Sequence, residues 1–404
     1  MMDITGPTSM QSESPQGISL CEPFLGGRER EYVDDCLKTG WVSSVGKYVD
    51  RFETSFSERL PGTESVAVAS GTAAIHLALL AVGVRPDDEV LVSSLTFIAP
   101  ANAIRYVGAW PVFIDAEPAH WQMDVGKVEE FLREGCEPRG KFLVNRMTGR
   151  RVSAIVPVHI LGHPVDMDAI ENLAHRYGLK IVEDATESLG AAVRGRKVGT
   201  IGDVGCFSFN GNKLMTTGGG GMVVSKNPEI CKKVRYLSTQ AKESGNEYIH
   251  QSVGFNYRLT NVQAAIGVAQ LEQLDGFLEK KRKIAQHYIK ELKGIPGISF
   301  QKEASWATSA WWLFTILVDQ FAFGCTARKL IESLGAKNIH CRPLWEPMHR
   351  SVAHRSEPQA CCPVADVLFD RGISLPSSVG LDMQDQIKVI SSIYEYHMPK
   401  LASS

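Results

Sequence analysis

The group in this 404-residue chain best suited to covalent chemistry is a lysine in a loop of small residues. Lys213 sits in Gly205-Cys-Phe-Ser-Phe-Asn-Gly-Asn-Lys213-Leu-Met-Thr-Thr-Gly-Gly-Gly-Gly221, between two short apolar runs. Ser208 and Asn210 precede it, and Thr216 and Thr217 follow. Lysines with few polar competitors condense with carbonyl compounds to form Schiff bases, and the glycines let the backbone approach a flat ligand closely. Such a lysine serves an aldolase as well as a pyridoxal-phosphate (PLP) enzyme, so other residues must decide. PLP needs a carboxylate against its pyridine nitrogen, because the protonated ring is the electron sink. Asp184 follows the apolar run Lys180 to Val182 and Glu183, at a strand end of the kind where open α/β sheets collect ligands. A helix N-cap or turn aspartate would look the same in sequence. Ser70-Gly71-Thr72-Ala73 lies between a strand and a helix start, where backbone N–H groups bind phosphate; an ordinary capped turn shares that pattern. Phe97, just after a strand, offers an aromatic cover for a ring, although an isolated phenylalanine reads first as core.

The elements around these residues follow one grammar from about residue 64 onward: a short apolar strand, then an amphipathic helix. Val66 to Ala69, Glu89 to Val92, Pro111 to Ile114, Ala154 to His159, Lys180 to Val182, Gly205 to Phe209 and Gly221 to Ser225 read as strands. Ala74, Leu77, Ala78 and Ala81 recur at helical spacing. Asp166 to Tyr177 reads as a helix stopped by Gly178. The pattern implies a mostly parallel sheet covered on both faces. Near Asn261 the grammar changes to one long helical stripe reaching Leu292. A strand from Trp312 to Val318, a helix from Ala327 to Leu334, a strand near Ile339 and a last helix from Ile387 to His397 follow. The expected division is a tail over residues 1–17, a large α/β domain over 18–275 and a smaller α+β domain over 276–404, a size that suits two cores.

Composition narrows the class further. Hydrophobic residues make up 44% and charged residues 22%, with a formal net charge of −2, which favours neither nucleic acid nor an anionic membrane as partner. The nine cysteines include no C-x-x-C pair, and no histidine cluster has zinc spacing. An odd count in a long chain points to free thiols and a reducing compartment. The first residues lack the basic and apolar regions of a signal peptide, and no run of 18 apolar residues occurs, so a cytoplasmic location is expected. Arg139, Lys141, Arg146, Arg150 and Arg151 crowd the loop from Glu137 to Arg151. They read as a grip on a nucleotide diphosphate or as a solvated basic loop. His340, Arg342, Trp345 and His349 lie close together in the second domain, as a sugar pocket or a plain structured loop. His159 ends a strand near the lysine, as a ligand or a satisfied core histidine.

Taken in order, these elements resemble the DegT-type sugar aminotransferases, which have the PLP-dependent transferase fold of aspartate aminotransferase (fold type I). The carriers are Gly40-Trp-Val-Ser-Ser, Ala69-Ser-Gly-Thr-Ala, Thr96-Phe97, Glu183-Asp-Ala-Thr-Glu, Ser208-Phe-Asn-Gly-Asn-Lys213 and Gly254-Phe-Asn-Tyr-Arg-Leu-Thr-Asn-Val-Gln-Ala-Ala. The resemblance covers nearly the whole chain, from about residue 19 to 398. The run Pro157-Val-His-Ile-Leu-Gly-His-Pro and the basic insert before it are similar to aminotransferases that make UDP-N-acetylbacillosamine-type sugars for legionaminic acid and related glycans. The resemblance implies that Lys213 forms the Schiff base, Asp184 meets the pyridine nitrogen, and Thr72, Ala73 and Ser208 hold the phosphate. It implies that Phe97 stacks on the ring and that Asn256 reaches the phosphate of a neighbouring subunit, hence a homodimer with shared sites. Glu187 stands where many relatives have Gln or His; an ionised carboxylate there can only accept a hydrogen bond. Tyr257 and Arg258, in the last motif, join His159, His340, Arg342 and His349 as candidate substrate residues. The implied reaction moves an amino group from an amino acid, glutamate by analogy, to a 4-keto-6-deoxy nucleotide sugar, UDP-linked in the nearest subgroup.

Three rivals remain. Some relatives are sugar dehydratases, but those replace the lysine with histidine, and Lys213 is present. A non-catalytic sugar or cofactor sensor would keep the fold, yet the lysine and aspartate pair is intact. A nicotinamide enzyme would place G-x-G-x-x-G after the first strand, where Ser70-Gly71-Thr72 stands.

Overall fold

A computed structural model describes residues 17–243, 245–354 and 361–397. The tail expected over residues 1–17 lies, apart from Gly17, outside the described residues. Nine strands form the main sheet: β1 (Glu64–Val68), β2 (Glu89–Ser93), β3 (Trp110–Ile114), β4 (Cys136–Arg139), β5 (Phe142–Asn145), β6 (Arg151–Val156), β7 (Lys180–Asp184), β10 (Val204–Ser208) and β11 (Gly221–Ser225). Between β7 and β10, β8 (Ala192–Val193) and β9 (Arg196–Lys197) form a hairpin joined by β13 (Ala307–Thr308). The main order is β1-β11-β10-β7-β6-β2-β3. The run from β10 to β3 is parallel, and β11 opposes both of its neighbours. This is the expected mostly parallel sheet.

Strand residues alternate between two buried faces. Val66, Val68, Val90, Val92, Ala154 and Val156 face one core with Ala74, Leu77 and Ala78 of the helix Gly71–Val82. Ala67, Leu91, Ile155 and Phe207 face the other. The period of two in a strand sends neighbours to opposite sides, and helices on both sides make both faces apolar. The face with Ala67 and Phe207 is closed by helices Glu29–Thr39 and Lys47–Arg59, which precede the strand–helix repeat, and by Asn261–Leu271.

The expected long helix is two helices, Asn261–Leu271 and Leu274–Leu292. The first is lined with small buried residues: a Cβ on Gly267 would lie 2.8 Å from the Phe52 ring. The second is amphipathic and turns toward another sheet. That sheet has the antiparallel order β12 (Ile298–Phe300), β14 (Phe314–Val318), β16 (Gly372–Leu375) and β15 (Arg342–Pro343). Its core includes Tyr288, Phe314, Ile316, Leu330, Ile373 and Ile393. We place the boundary between the two units near residue 275. Ile18 packs in this second core and forms a parallel bridge with Ile339. The strand expected near Ile339 is that single bridge, with β15 beginning at Arg342. Neither β16 nor the helix Pro363–Arg371 is expected from the sequence.

Candidate active site

Three strand ends meet at one edge of the main sheet. Asp184 closes β7 and Ser208 closes β10, with Cys206 opposite Asp184 in register. Val68, the end of β1, pairs with Gly221 at the start of β11. The chain then turns through Ser70 into the helix Gly71–Val82. Gly71 fits because a Cβ there would come 2.7 Å from Ser208 Cβ and 3.2 Å from Thr186 Cγ2. A cleft of about 280 Å³ opens at this junction, lined by Ser70, Thr72, Thr186, Glu187, Ser208 and Lys213 among others. The first N–H groups of a helix have no partner within it and favour an anion. Thr72 and Ser208 line the cleft. Ala73 does not: its N–H is directed to Ser70 Oγ at 3.0 Å, which caps the helix. In this arrangement the Ala73 N–H is already partnered.

Lys213 follows β10 on a turn in which its N–H meets the Asn210 carbonyl at 3.0 Å. Its Nζ lies 3.4 Å from Glu187 Oε1 and 4.0 Å from the centre of the Trp312 ring. The other Glu187 oxygen accepts from Leu161 N at 2.8 Å. Asp184 is buried, and its Oδ1 accepts from Thr186 N at 3.1 Å. Burial raises the pKa of Asp184, opposed by the Thr186 hydrogen bonds and by the charge of Lys213. Burial raises that of Glu187 too, opposed by Lys213 and the Leu161 hydrogen bond. At both carboxyl groups burial favours the neutral form, and the nearby Lys213 charge favours the ionised one. Phe97 is 53% exposed and lines the cleft, so it is available as a cover.

These residues fit PLP: a lysine for its aldehyde, a buried carboxylate for its ring nitrogen, a helix N-terminus for its phosphate and an aromatic face for its ring. Among the described residues no group of three or more His, Cys, Asp or Glu could hold a metal ion.

Other predicted residues lie elsewhere. His159 is fully buried. Its Nδ1 accepts from Val165 N at 3.0 Å, so Nε2 carries the proton and faces Glu183 Oε2 at 3.2 Å. Glu183 also receives the N–H groups of Gly199, Ile201 and Gly202. His159 is thus a satisfied core histidine rather than a substrate ligand. Arg258 pairs with Glu53 at 3.3 Å, and Tyr257 stacks on Phe255 at 5.1 Å. Neither lines the cleft. Asn256, bridged to Thr239, is also absent from its own chain's cleft.

The second-unit candidates separate as well. His340 and Arg342 are exposed and outside the cleft. His349 Nδ1 lies 2.7 Å from Ser94 Oγ, and its Nε2 lies 3.4 Å from Asp366. Only Trp345 of that group reaches the cleft, stacked on Trp312 with centroids 6.1 Å apart and planes 7° apart. The basic segment is the β4–β5 hairpin. It pairs with the first residues of β6, Leu143 opposite Val152, at the end of the sheet remote from Asp184. Arg139 and Arg146 meet Glu137, Arg151 meets Asp88, and Arg150 covers Trp110 at 4.1 Å. The hairpin therefore lies away from the cleft of its own chain.

Trp312 is the site residue that sequence reasoning misses; it reads there only as a strand start. The signal is the pair Trp311-Trp312. Trp311 adopts φ of +51°, which costs about 1 kcal/mol or more for a large side chain. That turn sends Trp311 into the second core and Trp312 toward Lys213.

Comparison with known proteins bears on this geometry. The model of the DegT/DnrJ/EryC1/StrS aminotransferase family matches residues 23–394. A GDP-perosamine synthase of Vibrio cholerae is 41% identical, covering 92% of this chain and 97% of its own. One from Escherichia coli O157:H7 is 38% identical over 95% and 99%. The structure of DesV from S. venezuelae, in complex with a ketimine intermediate, superposes with a TM-score of 0.82 at 32% identity, covering 92% of this chain and 94% of that one. The aminotransferase TlmJ of Streptoalloteichus hindustanus gives 0.85 at 28% identity, over 95% and 100%.

Proposed function

The chain belongs to the DegT/DnrJ/EryC1/StrS aminotransferase family, and from that premise we propose that it moves an amino group from L-glutamate to the keto carbon of a 4-keto-6-deoxy nucleotide sugar, with GDP as the first carrier to test. PLP-dependent nucleotide-sugar transamination is the activity of the family and of this chain. GDP replaces the UDP carrier expected from the narrower resemblance, because the relatives named for a product are GDP-perosamine synthases and a dTDP-amino-sugar transaminase. The observation that carries the reading is Lys213 held between Glu187 and Trp312 beside the buried Asp184.

PLP, when bound, supplies the sink for the electron pair left on the donor carbon. The protein residues do the rest. Lys213 Nζ takes the proton from the donor α-carbon and later returns one, as general base and then acid. Glu187, 3.4 Å away, steadies the ammonium that results. Asp184 would hold the ring nitrogen, Thr72 and Ser208 with the helix N-terminus would hold the phosphate, and Phe97 would cover the ring. Trp312 and Trp345 wall one side and exclude water.

Asn256 serves the cleft of a second copy in this reading. The loop that ends at Asn256 exposes Tyr248 and Val253, each 86%, and an apolar loop of this kind suits burial in a homodimer with shared sites. Nine free thiols suit the reducing cytoplasm. No helix among the described residues is long and apolar enough to cross a membrane.

The test is the absorbance spectrum of the purified protein with PLP, before and after L-glutamate. Bleaching of the visible band with gain of the pyridoxamine band supports the donor and the chemistry. GDP-, dTDP- and UDP-linked 4-keto sugars are then screened for return of the first band. No change with glutamate would refute the donor, and no band in the reconstituted protein would refute the cofactor assignment.

A further inference from the structure

Lys281, on the helix Leu274–Leu292, is 1% exposed. Its ammonium donates to neutral acceptors from three separate segments: the Trp312 carbonyl at 2.8 Å, the Ser377 carbonyl, and Cys21 Sγ at 3.7 Å. Burial lowers its pKa, with Cys21 opposing. A buried ammonium held by neutral groups is costly, so its geometry invites a reason beyond packing.

Two of the residues it holds, Trp312 by its carbonyl and Cys21 by its thiol, send their side chains to one atom. Trp312 Nε1 donates to the Asn212 carbonyl at 2.7 Å, and Cys21 Sγ donates to the same oxygen at 3.1 Å. That carbonyl belongs to the peptide bond of Lys213. Ser377 steadies the second arm as well, because its N–H donates to the Leu20 carbonyl at 2.7 Å. The Trp312 ring also lies under Lys213 Nζ. The charged groups facing Lys213 are Glu187 and Asp184, and Cys21 faces Lys281.

We infer that Lys281 is a positioning residue that fixes, through Trp312 and Cys21, the peptide carrying Lys213 and so the approach of its amine to the cofactor. Three divergent donors suit a lysine; methionine has the same length and none. The inference rests on the reading of Lys213 as the Schiff-base lysine.

The experiment adds PLP to cofactor-free protein and follows the rise of the visible band by stopped flow, with visible circular dichroism of the product. Lys213→Ala is the control: a normal band in that variant would overturn the reading of Lys213 itself. In Lys281→Met the capture rate should fall about tenfold, and the dichroism of the bound cofactor should change. A rate and a dichroic band identical to wild type would overturn the role of Lys281, even if the melting temperature drops. Should Lys281→Met fail to fold, Trp312→Phe and Cys21→Ala each remove one arm. Each should slow capture, and the pair more than either. A double variant that captures PLP at the wild-type rate would equally overturn the inference.

Discussion

The floor of the cleft and its outer wall are built differently. On the floor, Asp184 and Ser208 sit on the last residues of adjacent parallel strands, and Thr72 sits in the first turn of a helix. Their positions follow from sheet register and leave little freedom. The wall consists of Trp312 and Trp345, from segments before and between strands of the second sheet, and of Phe97 in the turn after β2. The floor repeats what any amino-group transfer requires, while the wall has room to differ with the sugar. Substitutions on the floor should therefore destroy chemistry, and substitution of Trp345 on the wall should alter recognition.

The largest effect tests the floor. Lys213→Ala should lower single-turnover transamination by about 10³-fold or more, and near-normal turnover would erase the distinction. Asp184→Asn should lower it by about 10²-fold or more while stabilising the cofactor-free protein. The sign follows from the raised pKa values of Asp184 and Glu187. In the unfolded chain these groups ionise in the ordinary carboxylate range, and in the fold only at higher pH. Their protonated forms thus stabilise the fold below that range, and the contribution is lost as pH rises through the raised values. Asparagine mimics the neutral acid at every pH. Melting temperatures of cofactor-free wild type and Asp184→Asn should diverge as pH rises from 4 to 8, with the variant higher; parallel curves would contradict the burial argument.

On the wall, Trp345→Ala should raise KM for the sugar nucleotide about tenfold with kcat within about threefold, the split expected for lost ground-state binding. A collapse of kcat instead would move Trp345 to the floor. The smallest effect belongs to the hairpin. Arg139→Ala with Arg146→Ala should change that KM by less than about twofold, since both are exposed and paired with Glu137. A tenfold rise would return the hairpin to substrate recognition.

The same division explains what the sequence discloses. Lys213, Asp184, Ser208 and Thr72 are legible because strand ends and helix starts leave local signals: an apolar run that stops, a capping serine, a glycine that tolerates close approach. His340, Arg342 and His349 are close in sequence to Trp345, yet only Trp345 reaches the cleft. In an irregular segment, neighbours in sequence point in unrelated directions. The arginines of residues 139–151 mislead for another reason. Their charge is visible in the sequence, but the carboxylates that meet it, Asp88 and Glu137, are assigned by pairing at the far end of β6. Trp312 is hidden by the opposite effect, since its role depends on the left-handed turn at Trp311.

The bridge between Ile18 and Ile339 has a consequence for the birth of the protein. Residue 18 leaves the ribosome among the first described residues, and its partner is synthesised some 320 residues later. At roughly 5–20 residues per second that interval is about 15 to 60 seconds. Through it, the apolar Ile18 has no finished core to enter, while the main sheet, whose last strand ends at Ser225, can already assemble. The neighbouring Cys21, one of the two arms on Lys213, waits for the same closure. The lysine is therefore made before Trp312 and Ser377 and is fully braced only after both follow, so a nascent chain holds its most reactive amine loosely until the second sheet arrives.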